Sequence, residues 1–376
     1  MKKSFSFLLI FLFQIFQISL SFDFGENFEN SFFEINIDRD HPDDIYKEFE
    51  DFIVKYKKSY KDEIEKKFRF QLFTATHNKI GKMNERSGKM GQDTKFGHNK
   101  FSDRTKQEMD RLFFKMGPKN DTNMIPMYDP SKHRVKRQTI DLPKKFDLRT
   151  IKLGGRYIVG DAKDQGACSS CWAFAATALA EIAYSVHLKK MVTLSDQEIC
   201  DCAAQHGPAC KGGLPNDGLE YIKQFGVTLE SEYPYSVERS NETGHCDADK
   251  YERELNSLTL DYYSIDPFNA EYQITHHLVA LKTPVSVAFR IGDDFNFYKS
   301  DVLQFPGCDH AKETHYHSGV IIGFGTTVNS LGKKVDYWIF RNSWSGDWGE
   351  AGHARIIRGE DWCGIESLGT GARVPE

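Results

Sequence analysis

The chain has 376 residues, 40% hydrophobic, 27% charged and 13% aromatic. That length allows two folded units, and a core can be buried without metals or disulfides being required. Lys plus Arg total 49 against 54 Asp plus Glu, so the formal charge of −5 carries no basic excess for nucleic acid. The 29 glycines and 12 prolines exclude a collagenous chain, and the aromatic content argues against wholesale disorder. Eight cysteines remain to be explained, and their meaning depends on the redox compartment.

The first residues speak to that compartment. Lys2 and Lys3 precede an apolar run over 5–18, broken by Ser6, Gln14 and Gln17, and Ser19-Leu20-Ser21 supplies small residues for cleavage after Ser21. This pattern predicts a secretory signal peptide over 1–21. A membrane anchor, the alternative, needs roughly 20 apolar residues. No later stretch approaches that length, so the mature chain is expected to be soluble, with no membrane span, in the secretory pathway and bound for a lysosome or the exterior. Disulfides and N-glycosylation then become relevant, and the acceptor sequences are Asn120 with Thr122 and Asn241 with Thr243.

Residues 22–42 are acidic and aromatic without a clear period. From Asp43 the spacing of Ile45, Phe49, Phe52, Ile53 and Tyr56 predicts a helix. A second helix is predicted over 62–86, with Phe68, Leu72, Phe73, Ile80 and Met83 on one stripe and Gly88 and Gly91 ending it. The alternation over 95–101 suggests a strand. Residues 117–137 read as a linker holding Pro118, Pro126 and Pro130, closed by Arg134-Val135-Lys136-Arg137. That basic run fits the pattern of secretory processing proteases, with cleavage after Arg137. Beyond it the chain becomes turn-rich. A nearly all-apolar helix starts near Cys171, and strands are expected over 285–289, 319–324, 336–340 and 354–357. Helices first and strands later indicate an α+β domain.

The chemistry centres on Gln165-Gly166-Ala167-Cys168-Ser169-Ser170-Cys171-Trp172-Ala173-Phe174. Cys171 falls at the first turn of a buried helix, where the dipole favours thiolate, the nucleophile of acyl transfer. The N–H of Cys171 and the amide of Gln165 are candidate donors to an oxyanion. Cys168-x-x-Cys171 also matches a thiol-disulfide redox pair, but no βαβ unit precedes it. A zinc site would need a second matched pair, which Cys200-Asp201-Cys202 does not supply. No cofactor is expected.

The segment resembles the nucleophile signature of papain-like cysteine proteases, C-G-S/A-C-W/Y with a His and an Asn downstream. His317, in Tyr316-His317-Ser318-Gly319, lies 146 residues beyond Cys171, and Asn342, in Arg341-Asn342-Ser343-Trp344, lies 171 beyond. The turn over 326–334 absorbs the excess. The segments Leu194-Ser195-Asp196-Gln197-Glu198, Lys211-Gly212-Gly213, Tyr233-Pro234-Tyr235 and Trp348-Gly349-Glu350 are similar to further family landmarks. Glu65, Arg69, Phe73, Ile80 and Asn84, with Thr76 in place of an asparagine, resemble the helix motif of cathepsin L-type propeptides. Gly97, Asn99, Phe101 and Asp103 resemble its companion.

The resemblance implies a signal peptide (1–21), an inhibitory helical propeptide (22–137) and a peptidase domain (138–376). It implies a papain-like two-subdomain fold, a helical left subdomain against a β-barrel-like right one. Cys171 would be the nucleophile of a cysteine endopeptidase, His317 its base and acid, Asn342 the residue orienting His317, and Gln165 an oxyanion donor. Trp344 would shield the His–Asn bond from water. Substrate would pair with Gly213 and place a side chain among Leu214, Pro215, Ala288, Ser318 and Leu368. That pocket has no acidic group, so a medium aliphatic or aromatic residue is expected two positions before the scissile bond. The implied bridges are Cys168–Cys210, Cys202–Cys246 and Cys308–Cys363, leaving Cys200 as a buried inert thiol. Implied partners are protein and peptide substrates, the chain's own propeptide and cystatin-like inhibitors, with the enzyme a monomer. No room for an occluding loop is seen between Cys202 and Cys210, which disfavours exopeptidase action.

Several residues depart from the family pattern: Ser169 for glycine, Leu148 for tryptophan, Tyr316 for Asp or Asn, Ser345 for glycine and His353 for tyrosine. The stretch 149–165 is about five residues longer. His276, His277, His310 and His353 are read as structural, and His315 as a residue that could line the cleft. Two other readings stay open at this level: a catalytically silent relative acting as a binding protein, and a thiol-disulfide oxidoreductase.

Overall fold

A computed structural model describes residues 43–115, 125–133, 142–203, 209–236, 246–253, 255, 258–305, 308 and 315–375. The signal peptide, both glycosylation sequences, the 134–137 cluster, His310 and 204–208 lie outside the described residues. Two compact units are present, Met1–Lys55 and Tyr56–Glu376.

In the first unit the described chain is one helix, α1 (Asp43–Lys55). Phe49 and Phe52, three apart and therefore on one face, are buried and stack with ring centroids 6.1 Å apart.

The second unit begins with α2 (Glu63–Lys89). Asp62 caps it by accepting from the Glu65 N–H, Glu63 and Glu65 lie in its first turn, and Arg86 and Lys89 lie in its last. The helix runs three residues past 86 because Gly88 stays helical and Gly91, at φ +64°, makes the turn. Asn84 of α2 then bonds Phe96 twice, donating to its carbonyl at 3.0 Å and accepting from its N–H at 2.9 Å. This fixes β1 (Lys95–Phe96). The strand expected to reach 101 stops there, because the Asn99 carboxamide accepts the Phe101 N–H and turns the chain. Next comes α3 (Lys106–Asp110), started by a Thr105–Glu108 capping box, and then β2 (Phe114–Lys115).

The remaining elements are β3 (Phe146–Asp147), β4 (Lys152–Leu153), β5 (Arg156–Tyr157), α4 (Cys171–Leu188), α5 (Asp196–Cys202) and α6 (Pro215–Phe225). They continue with β6 (Asp261–Ser264), α7 (Ala270–Leu281), β7 (Val285–Arg290), α8 (Asp293–Asn296), β8 (Tyr298–Ser300), β9 (Val302–Leu303), β10 (His315–Val328), β11 (Lys334–Arg341), β12 (His353–Ile357) and β13 (Gly369–Arg373). The main sheet runs β6-β13-β7-β10-β11-β12-β9, with β2 and β3 also paired to β10. Among the described residues β6 and β9 do not pair. The sheet, among the described residues, therefore does not close into a barrel.

Within 149–165 the chain forms the β4–β5 hairpin, turned by Gly154 (φ +58°) and Gly155 (φ +80°). Apolar on nearly all sides, α4 is buried between α6 and the sheet, as such a helix must be. The architecture is mixed α/β, with a helical side carrying Cys171 and a sheet side carrying His317 and Asn342.

Candidate active site

Cys171 is the first residue of α4 and is fully buried. Beside it Cys168 is bridged to Cys210 (S–S 2.02 Å), which ties the helix start to the loop carrying Gly212 and Gly213. Two further bridges join Cys202–Cys246 and Cys308–Cys363, and Cys171 and Cys200 lie outside them, both buried. His317 on β10 and Asn342, just past β11, meet because those strands are neighbours. His317 Nε2 lies 2.8 Å from Asn342 Oδ1, which also accepts the Ser343 N–H. Trp344 is fully buried with its ring 4.8 Å from that of His317, walled by Phe101, Phe295 and Trp348. The bond between His317 and Asn342 is thus kept dry. His317 Nδ1 makes no hydrogen bond among the described residues.

Gln165 is buried and held from both ends. Its Oε1 accepts from Ser343 Oγ at 2.6 Å, its N–H donates to the Ser343 carbonyl, and Tyr235 donates to its carbonyl. Its Nε2 is left facing the cleft, where it donates to Cys168 O at 2.6 Å and to Leu112 O at 3.0 Å. Ser343 is a positioning residue the sequence reading passed over, although it sits inside the quoted Asn342-Ser343-Trp344 run.

The cleft is filled by the chain itself. Phe113 stands edge-on to His317 (6.0 Å, 85°) and leans on Trp344. Phe114 pairs across β2–β10 with Tyr316 and clusters with Cys171 and Ala288, against Leu214, Leu368 and Tyr316. Gly212 faces Phe114 so closely that a Cβ there would lie 2.5 Å from the Phe114 Cβ, and a Cβ on Gly213 would lie 2.6 Å from the Trp172 indole. Only glycine fits between. Pro215 is buried at the first turn of α6. Tyr316, flagged only as a departure, belongs to the pocket wall, and His315 lies with its ring 6.4 Å from Phe113. His276, His277 and His353 are spent on Tyr128, on Tyr263 and Thr283, and on the Ala351 carbonyl respectively.

This filling changes the electrostatics expected at the helix start. Burial pushes the Cys171 thiol up to about 12, against the backbone N–H groups of Ser318, Trp172 and Cys171 that favour thiolate. Burial likewise pushes His317 down to about 4, with the Asn342 acceptor opposing. Burial, to which Phe114 contributes at Cys171, thus favours the neutral thiol and the neutral imidazole.

Comparison with known proteins matches residues 142–372 to the papain family cysteine protease profile. The chain belongs to the papain family of cysteine proteases. Residues 49–109 match the cathepsin propeptide inhibitor domain. The chain is 33% identical over 325 residues to thiol protease aleurain of Arabidopsis thaliana, covering 84% of this chain and 81% of that one. It is 35% identical over 316 residues to vignain of Phaseolus vulgaris, covering 81% and 79%. Among solved structures, a recombinant stem bromelain precursor superposes with TM-score 0.72 at 29% identity, covering 89% of this chain and all of that one. Digestive procathepsin L2 of Tenebrio molitor gives TM-score 0.73 at 27%, covering 88% and 100%.

As a papain-family member the protein is a cysteine endopeptidase made as a zymogen, with its propeptide as inhibitor and protein or peptide chains as substrates. Its three disulfides fit a secretory or lysosomal destination.

Proposed function

We propose that this zymogen matures to an endopeptidase in which Cys171 attacks, His317 moves the proton, Asn342 orients His317, and Gln165 with the Cys171 N–H binds the oxyanion. The observation that carries this reading is the Gln165 amide bonded to the Leu112 carbonyl while Phe114 fills the adjoining pocket. A main-chain carbonyl already lies on the donor that a scissile carbonyl would need, and an apolar side chain already anchors it.

Removing 22–137 exposes Cys171 and His317 to water, which relieves the desolvation that keeps them neutral and lets the pair exist as thiolate and imidazolium. The sulfur then attacks the carbonyl carbon. A C–S bond forms, and the oxygen takes the negative charge against Gln165 Nε2. His317 gives its proton to the leaving nitrogen as the C–N bond breaks. Water, deprotonated by His317, attacks the acyl carbon, the C–S bond breaks, and thiolate and carboxylic acid are released.

The pocket of Leu214, Pro215, Ala288, Ser318 and Leu368 would take an aliphatic or aromatic side chain, and Gly213 would pair with substrate backbone. We place the boundaries after Ser21 and Arg137, with 138–376 the active chain of a helical and a sheet subdomain. The chain would act as a monomer, glycosylated at Asn120 and Asn241, and a cystatin-like inhibitor would compete for the same cleft. The test is hydrolysis of a fluorogenic peptide by matured wild type, Cys171→Ala, His317→Ala and Gln165→Ala. The first two variants should be inactive and the third down by roughly 10²–10³ in kcat. Full activity in Cys171→Ala would overturn the assignment.

A further inference from the structure

The pocket that anchors Phe114 has a floor that phenylalanine cannot satisfy. Three rows of side chains cross this face of the sheet, because directly paired residues share a face and successive rows are two residues apart. Phe114, Tyr316 and Arg290 form the outer row, with the Arg290 guanidinium over the Tyr316 ring at 5.5 Å. Ser318 is paired with Ala288, whose N–H donates to the Leu368 carbonyl, and these three form the middle row. Ser286, paired with Thr370, lies one row further in, two residues from Ala288. Ala288 and Leu368 both belong to the cluster around Phe114, so Ser318 borders the same pocket and Ser286 lies beneath it.

The Ser318 and Ser286 hydroxyls are 0% and 2% exposed by residue, and neither makes a hydrogen bond among the described residues. Thr370, their neighbour in the inner row, spends its hydroxyl on Asn216. A buried hydroxyl without a partner is costly, and two in successive rows of one face leave a donor and an acceptor unmet. The Phe114 ring can offer them nothing. A leucine or valine side chain cannot either.

We propose that this pocket selects a tyrosine two positions before the scissile bond, its phenol donating to one of the two serine hydroxyls and accepting from the other. The inference rests on the cysteine-endopeptidase reading and sharpens its substrate class from any apolar residue to an aromatic one with a polar tip. Discrimination follows from the site's own groups: a substrate lacking the hydroxyl leaves both serines unpaired, whereas an apolar pocket barely distinguishes tyrosine from phenylalanine. One net hydrogen bond gained corresponds to roughly a five- to tenfold preference.

The test compares kcat/KM for two peptides differing only in Tyr or Phe at that position. The matured enzyme is used as wild type and as the Ser286→Ala/Ser318→Ala variant, each with its active thiol titrated. The Tyr/Phe ratio is read within each preparation, so a poorly folded fraction cancels. Wild type should give a ratio of about five to ten, and the double variant a ratio near one. A wild-type ratio near one, or a preference that survives both substitutions, overturns the proposal while leaving the protease reading intact. Absence of hydrolysis of either peptide, with no titratable thiol, overturns the protease reading and this proposal with it. In the zymogen, Phe114→Tyr should slow self-processing several-fold, and adding Ser286→Ala/Ser318→Ala to it should abolish that slowing. An unchanged processing rate in Phe114→Tyr counts against the polar floor.

Discussion

His98 should make the propeptide acid-labile. It sits in the loop after β1, its ring stacked on Phe73 of α2 at 4.1 Å, with Nε2 3.3 Å from His77 Nδ1. Burial, with the His77 charge adding to it, pushes its imidazole from 6.5 down to about 4. The folded form therefore binds the proton less readily than the unfolded form. The stability His98 contributes is present above about pH 6.5 and is lost as pH falls towards 4. That depression in full corresponds to about 3.4 kcal/mol. Solvent reaching part of the ring reduces this to about 2 kcal/mol.

Glu108 behaves oppositely. Its burial favours protonation, but the bonds from Arg69 and Thr105 outweigh that and hold it down at about 2, so its contribution persists above pH 4.5. In the window from about 6.5 to 4.5 the acid sensitivity of the propeptide thus falls to His98 rather than Glu108, while His317 and His353, also pushed down by burial, contribute equally to parent and variant. The assay is urea unfolding of the Cys171→Ala zymogen, which cannot process itself, at about pH 7.5 and pH 4.5, with and without His98→Leu. The parent should lose about 1.5 kcal/mol more than the His98→Leu form on acidification, because pH 4.5 stops short of the folded value of about 4. Equal losses in the two proteins would refute the reasoning.

Other perturbations test other parts. Asn342→Ala removes the acceptor that orients His317, and kcat of the matured enzyme should fall about a hundredfold with a smaller change in KM. Phe113→Ala/Phe114→Ala in the zymogen uncovers Cys171, so a small thiol alkylator at neutral pH should modify that thiol at least tenfold faster than in the parent zymogen, with peptide mapping as the readout. Cys168→Ser/Cys210→Ser opens a bridge spanning 42 residues and should cost about 4 kcal/mol on the loop-entropy account, read as a lowered urea midpoint of the matured domain.

The long elements were legible because they carry a period. The apolar stripe of α2, the all-apolar α4 and the runs of β7, β10, β11 and β12 are each found within a few residues of where the pattern puts them. Two-residue strands have no period to read, so β2 and β4–β5 went unseen, though Gly154-Gly155 is a hairpin signal and Thr105-x-x-Glu108 a capping-box signal. The 95–101 stretch misled because alternation says nothing about an asparagine turning on its own backbone. The candidate site was legible in its chemistry and not in its state. Placing Cys171 at a helix start predicts thiolate, whereas burial beneath Phe114, a contact 57 residues away in sequence, reverses the sign. Likewise no local pattern shows that Ser286 and Ser318 share a face with Ala288, because only strand register brings them together.

The most direct measurement of the central claim is labelling of the matured protein with an epoxide reagent specific for activated thiols, mapped by mass spectrometry. The account predicts one label per molecule, on Cys171, with loss of peptide hydrolysis in proportion, and no labelling of the intact zymogen at neutral pH. Absence of label after propeptide removal, or a label on Cys200 with activity retained, would contradict it.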